Sequence, residues 1–327
     1  MKMKKNKTYS ILLRLIGFSV FAYILFSIDF QLLAERILGI NIIYLIIGFI
    51  LTLGVAVAKA LRWHSILNSL GIMISKFLSI KLYWLGLYVG IITPGKIGEV
   101  IKVYFLKAKG FSSAKSLLSI IIDRFLDMLV IAVLGGVVTL FYLRFMALQI
   151  IILSLAIILF FGLAYYLFNN KSRLSKWLDD FLKENINDKF YGYFASFFGA
   201  CSELRNIKLG YIAVSFIYLV ISWMLYYGAN YMIALSLHLD ISPMLLLAAI
   251  IAAIISSLLP ISIAGIGTRD VSIIYVFSSA GISRETAIIF SFFVLVIDLL
   301  AVSFGLIPYL RESSLIARAK EADIEVI

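Results

Sequence analysis

A single cysteine, Cys201, leaves no partner for an internal disulfide, and with only two histidines, His64 and His238, it cannot complete a zinc cluster. Zinc-dependent hydrolysis therefore has no ligands, while a carboxylate-held Mg²⁺ stays open. Charge is scarce as well. Asp, Glu, Lys and Arg make up 14% of the chain, against roughly 25% in soluble domains. Proline occurs four times, so the two prolines that interrupt apolar runs, Pro94 and Pro260, are conspicuous. What fills the chain is apolar: 63% of residues, with a mean hydropathy of +1.06. These values describe an all-α polytopic membrane protein. The net charge of +11 would suggest nucleic acid in a soluble chain. Here the cations fall between apolar runs, where they report orientation, and nucleic acid is not expected.

A membrane helix needs about 20 apolar residues. Runs near 11–28, 42–60, 118–142, 146–168, 209–236 and 285–310 supply six spanning helices. Two further runs, 78–106 and 244–279, are broken by Pro94 and Pro260 with their glycines. Each reads as a re-entrant helical hairpin or as a kinked span, because broken helices at membrane depth need protein or a watery cavity around the freed backbone. The Lys-rich start and first run resemble a signal peptide, but no small-residue cleavage site follows Ser27-Ile28-Asp29, so a retained helix is expected.

Lys and Arg set the orientation. With Lys2, Lys4, Lys5 and Lys7 in the cytoplasm, the cytoplasmic loops hold Lys59, Arg62, Lys76 and Lys81, then Lys96, Lys102, Lys107, Lys109 and Lys115, then Lys171 to Lys208. Arg311, Arg318 and Lys320 place the C-terminus on the same side. The outside keeps Arg36, Arg144 and Arg284. This alternation requires both hairpins to enter and leave on one side, the first from the cytoplasm and the second from outside, which makes the halves 42–142 and 209–310 inverted repeats within one domain, 1–327. The polar stretch 169–208, with Trp177, Phe181, Phe190, Tyr193, Phe194 and Phe197 among its charges, reads as an amphipathic segment on the cytoplasmic face or as a solvated linker.

The repeat is visible residue by residue. Glu99 matches Asp270, Tyr104 matches Tyr275, Gly110 matches Gly281, Ser112 matches Ser283 and Asp127 matches Asp298, all 171 positions apart. Paired apolar segments broken by Gly and Pro point to a binding site between transporter halves. The turn glycines are Gly95 and Gly98 in one copy, Gly265 and Gly267 in the other. Charges at membrane depth face a bundle interior or a cavity, so the candidate site comprises Lys96, Glu99, Arg124, Asp127, Arg269, Asp270 and Asp298. Asp123 and Asp127 share one helix face, with Arg124 about 100° away; Arg124 with Asp123 also reads as a pair stitching helices together. Glu99 and Asp270 either cap the helices that follow their turns or, with Lys96 and Arg269, form a mixed-charge site for an anionic head group at a helix N-terminus.

Two motif matches fail. Gly90-Ile91-Ile92-Thr93-Pro94-Gly95-Lys96 imitates a phosphate-binding loop, but Ile97 stands where the Mg²⁺-binding hydroxyl belongs. Ser112-Ser113-Ala114-Lys115 has the spacing of a serine–lysine nucleophile without the rest of that motif set. His64, beside Trp63 and Arg62, reads as an anchor at the membrane boundary.

Pro94-Gly95-Lys96-Ile97-Gly98-Glu99 and Gly265-Ile266-Gly267-Thr268-Arg269-Asp270 resemble the flippase-like membrane region of lysylphosphatidylglycerol synthases. The resemblance spans nearly the whole chain and implies an all-helical, lipid-handling protein of about eight membrane segments, without the synthase domain. Asp270 stands where relatives more often carry Glu. The resulting expectation is a non-enzyme of the cell membrane, without cofactor or metal, that moves an anionic phospholipid or a polyprenyl-phosphate carrier between leaflets. A secondary transporter of a small anion would use the same residues. A scaffold for a glycosyltransferase or lipid-modifying enzyme would use the acids only for structural pairing.

Overall fold

A computed structural model describes residues 38–93, 98–141, 209–258 and 265–311. Among them there is no strand, and eight helices of at least eight residues follow in order. They are α1 (Ile42–Ser69), α2 (Lys76–Ile92), α3 (Ile101–Ala108), α4 (Ser113–Phe141), α5 (Leu209–Ser236), α6 (Pro243–Leu258), α7 (Thr268–Ser278) and α8 (Arg284–Ser303). The expected spans 11–28 and 146–168, the segment 169–208, both termini and the turn residues Pro94, Gly95, Lys96 and Pro260 lie outside the described residues.

By length and composition, three helices among the described residues are able to cross a membrane: Ile42–Ser69, Gly210–Ser236 and Arg284–Arg311. Helix α4, over the expected span 118–142, is not one of them and carries Asp123, Arg124 and Asp127 in its first half. Helix α1 also runs nine residues past the expected end at residue 60.

Two helix–break–helix units stand in corresponding places, α2 with α3 and α6 with α7. Both are followed by a long helix, and α4 and α8 begin 171 positions apart, the spacing of the sequence repeat. Part of that repeat is turn chemistry. Gly110 (φ 86°) and Gly281 (φ 77°) occupy the left-handed region that glycine tolerates. Ser112 and Ser283 then accept backbone N–H bonds from Lys115 and Thr286 at the starts of α4 and α8. Tyr104 and Tyr275 are both exposed.

Helices α1 and α5 pack along one another and join the two units. The larger core cluster links α5 to α8, the second joins α1 to α2 and α3, and apolar side chains such as Ile46, Ile50, Phe216, Ile217 and Met224 stay exposed on the outer faces of α1 and α5. Such an apolar exterior suits acyl chains as solvent.

The break after α2 closes through Thr93, whose hydroxyl accepts from the Gly98 N–H at 2.8 Å. A side chain at Gly98 would run into the Val89 carbonyl and the Thr93 hydroxyl. Gly98→Ala is expected to lower stability by about 1–3 kcal/mol, since backbone cannot yield as a flexible side chain does. Gly136→Ala, in open space on α4, should be neutral or stabilising by up to about 1 kcal/mol. Thermal unfolding of both variants in detergent checks the contrast.

Candidate functional site

A buried ionic network joins α1, α2, α3 and α4. Arg62 of α1, fully buried, reaches Asp123 Oδ1 at 2.8 Å and Asp127 Oδ1 at 2.7 Å. Asp123 and Asp127 sit one turn apart on α4, so one guanidinium grips both. Lys59 meets the other oxygen of Asp127 at 3.1 Å, and Tyr83 donates to Asp123 Oδ2 at 3.1 Å. Arg62 is thus the residue that stitches the helices. Arg124 lies 3.6 Å from Asp123 and pairs more closely with Glu99 Oε1, at 3.1 Å.

Glu99 stands in the single turn before α3 and also receives Lys102 Nζ at 3.1 Å. Lys102 is fully buried, with its ammonium 5.0 Å from the ring centre of Trp63 and 4.5 Å from that of Tyr83. Aromatic faces favour a desolvated cation. Lys59, Arg62 and Lys102 are therefore not the loop charges that sequence patterning expects. Trp63 is buried, with its indole N–H on Ser119 at 3.0 Å. His64 bridges Ser79 and Asn68 at 2.9 and 3.0 Å.

In the second unit Gly265 (φ 75°) and Gly267 (φ 86°) turn the backbone into α7. Asp270 accepts from the Gly267 N–H at 2.9 Å, from Arg269 Nη2 at 3.1 Å and from the Ser291 hydroxyl. It caps its own helix and holds three donors on its two oxygens. Arg269 also donates to the Ser291 carbonyl at 3.0 Å, tying α7 to α8.

Two cavities lie between the units. The larger, about 190 Å³, is walled by Lys59, Glu99, Arg124, Asp127 and Asp298, with Trp223 and Tyr226 from α5. The smaller, about 110 Å³, is walled by Gly265, Arg269, Asp298, Tyr226 and Asn230. Gly90, Ile91, Tyr226, Ile254 and Asp298 line both. Of the expected site, Glu99, Arg124, Asp127 and Asp298 line the larger cavity and Arg269 and Asp298 the smaller, Asp270 lines neither, and Lys96 is outside the described residues.

Three buried N–H groups on side chains that line these cavities have no hydrogen-bond partner among the described residues: Arg124 Nε, Trp223 Nε1 and Arg269 Nε. Arg269 is 6% exposed. Leaving such donors unpaired is costly, and all three ask for an acceptor. Trp223, Tyr226 and Asn230 escaped the sequence reading, although their spacing of three and four residues on α5 puts them on one helix face.

Two archaeal chains, each called a UPF0104 membrane protein, are similar to this one. That of Methanocaldococcus jannaschii is 25% identical over 299 residues, 87% of this chain and 89% of its own length. That of Archaeoglobus fulgidus is 25% identical over 285 residues, 81% and 85% of the two chains. No solved structure matches. The family profile described as "Lysylphosphatidylglycerol synthase TM region" matches residues 14–305. With that match added to apolar helices and charges gathered on a shared interior, the chain is a multi-pass membrane protein and belongs to the family of lysylphosphatidylglycerol synthase transmembrane regions.

Proposed function

We propose that this protein moves an anionic lipid, a phospholipid or a polyprenyl phosphate, between the two leaflets of the cell membrane. The observation that carries the reading is a set of three buried N–H donors without a partner among the described residues, on side chains that line two neighbouring cavities. Phosphate oxygens are acceptors only and fit donors of the guanidinium and indole type. Arg124 and Trp223 receive the head group in the larger cavity and Arg269 receives it in the smaller. Glu99 orients Arg124 through their 3.1 Å contact. Val55, Leu87, Ile131, Leu258 and Val302 give the larger cavity an apolar wall suited to the start of a lipid tail. In this reading α2–α3 and α6–α7 are re-entrant hairpins entering from opposite faces, six helices span the bilayer, and both termini are cytoplasmic. Rocking of one unit against the other exposes the head group to each face in turn.

The test is reconstitution into vesicles carrying fluorescent phosphatidylglycerol, with dithionite added outside. Accelerated loss of the inner-leaflet signal is the expected result, together with an anionic lipid identified by mass spectrometry in the purified protein. Scrambling no faster than in protein-free vesicles, with uptake of a soluble phosphate compound instead, would reassign the site to a small-anion carrier.

A further inference from the structure

A lipid carried by this site has two ends with opposite demands. Its head group meets donors in the larger cavity, while its acyl or prenyl tail belongs in hydrocarbon. The wall of that cavity must therefore part along a line that faces the bilayer. Trp84 and Leu87 of α2, with Ala301 and Val302 of α8, line the larger cavity. Trp84 also packs against Phe304, their ring centres 6.3 Å apart, and Phe304 is 46% exposed and lines neither cavity. From cavity to exterior this wall is two side chains thick, Trp84 and then Phe304.

The seam continues beyond them. Tyr88 meets Tyr309 at 5.7 Å between ring centres, and Tyr309 is itself exposed. A side chain at Gly305 would come within 2.2 Å of the Trp84 carbonyl oxygen and 2.6 Å of Tyr88 Cβ, so the closed seam has no room for a Cβ there. A hydrogen bond latches it. The Trp84 indole N–H donates to the Ala301 carbonyl at 3.1 Å, near the end of α8, where the Gly305 N–H goes to the Val302 carbonyl and leaves Ala301 open to a side-chain donor.

Other walls are fastened differently. Lys59 and Arg62 tie α1 to α4 through ion pairs, and stranding such charges away from water is strongly unfavourable. Aromatic rings, by contrast, exchange contacts with one another for contacts with a hydrocarbon chain and strand no charge. Helix α2 lies in the first copy of the repeat and α8 in the second, so rocking of one unit against the other acts across this seam.

We propose that the seam between α2 and the end of α8 is a lateral portal. It parts so that an acyl or prenyl chain lies in the bilayer while the phosphate head group occupies the larger cavity, and Trp84 is the side chain that closes it. This rests on the lipid-translocating reading; a small-anion carrier needs no such opening.

The portal is tested by tying it shut. Cys201→Ser removes the only native thiol; in that background Tyr88→Cys and Tyr309→Cys are combined, treated with bismaleimidoethane and reconstituted with fluorescent phosphatidylglycerol. The untied pair should scramble, and cross-linking should slow it at least about tenfold, because the state open to the tail is no longer populated. Each single-cysteine variant given the same reagent should keep its rate. Undiminished scrambling after cross-linking overturns the portal and leaves the lipid reading standing. An equal loss in a single-cysteine variant overturns it too, since an adduct then acts without a tether. If wild type scrambles nothing, the lipid reading falls, and the portal, with no tail to pass, falls with it. Should the Tyr88–Tyr309 pair fail to fold or to scramble untied, Trp84→Cys with Phe304→Cys across the same seam decides by the same outcomes.

Discussion

Arg62→Met is expected to cost about 3–5 kcal/mol of stability, the range for removing one member of a buried ion pair. Arg62 is fully buried and its guanidinium holds two carboxylates at once. The two acids would not suffer equally. Asp127 keeps Lys59 at 3.1 Å, whereas Asp123 is left with the Tyr83 hydroxyl at 3.1 Å and with Arg124 at 3.6 Å. The excess charge is therefore concentrated on Asp123. Arg62→Met combined with Asp123→Asn should recover at least half of the loss, and Arg62→Met combined with Asp127→Asn clearly less, since that pair strands Lys59 as well. Thermal unfolding in detergent, analysed as a double-mutant cycle, reads these couplings. Equal rescue by both acids would mean that Arg62 does not discriminate between them.

That network also marks where the sequence could be read and where it could not. The helix breaks, the spacing of 171 and the placing of Glu99, Arg124, Asp127, Arg269 and Asp298 on interior cavities were legible, because glycine turns and charges within apolar runs are costly features with few uses. Asp270 was legible as a choice between cap and site, and its contacts are those of a cap. Lys59, Arg62 and Lys102 were misread as loop charges because hydropathy ends a span at its first cation. An α-helix continues through cations when a facing helix supplies acids. The signal was present in the spacing: Lys59 and Arg62 are three apart on α1, Asp123 and Asp127 four apart on α4, so each pair shares a helix face. Trp223, Tyr226 and Asn230 gave less warning, since aromatic and amide side chains are ordinary in a helix, and only the cavity walls single them out.

Replacing the Arg124 guanidinium by an ammonium should reduce lipid scrambling far more than it reduces stability. Lysine at this position keeps the positive charge and is able to retain the pairing with Glu99, now 3.1 Å from Nη2. What Arg124→Lys removes is the buried Nε–H that has no partner among the described residues, together with the guanidinium fork that lets Nη2 also bond the Tyr83 hydroxyl at 3.3 Å. A hydrogen bond to a charged group contributes about 1.5–3 kcal/mol, so a phosphate that meets this donor during transfer should cross on the order of 10–100-fold more slowly. Trp223→Phe is the companion variant. It deletes the indole N–H, likewise unpartnered, and keeps an aromatic ring beside Tyr226, whose ring centre lies 6.2 Å away. If both donors address one phosphate, the double variant should lose less than the product of the single losses, because removing the first lets the group shift from the second. Arg124→Lys at full wild-type rate, with unchanged unfolding temperature, would mean that water satisfies Nε and that the donor set does not read the head group.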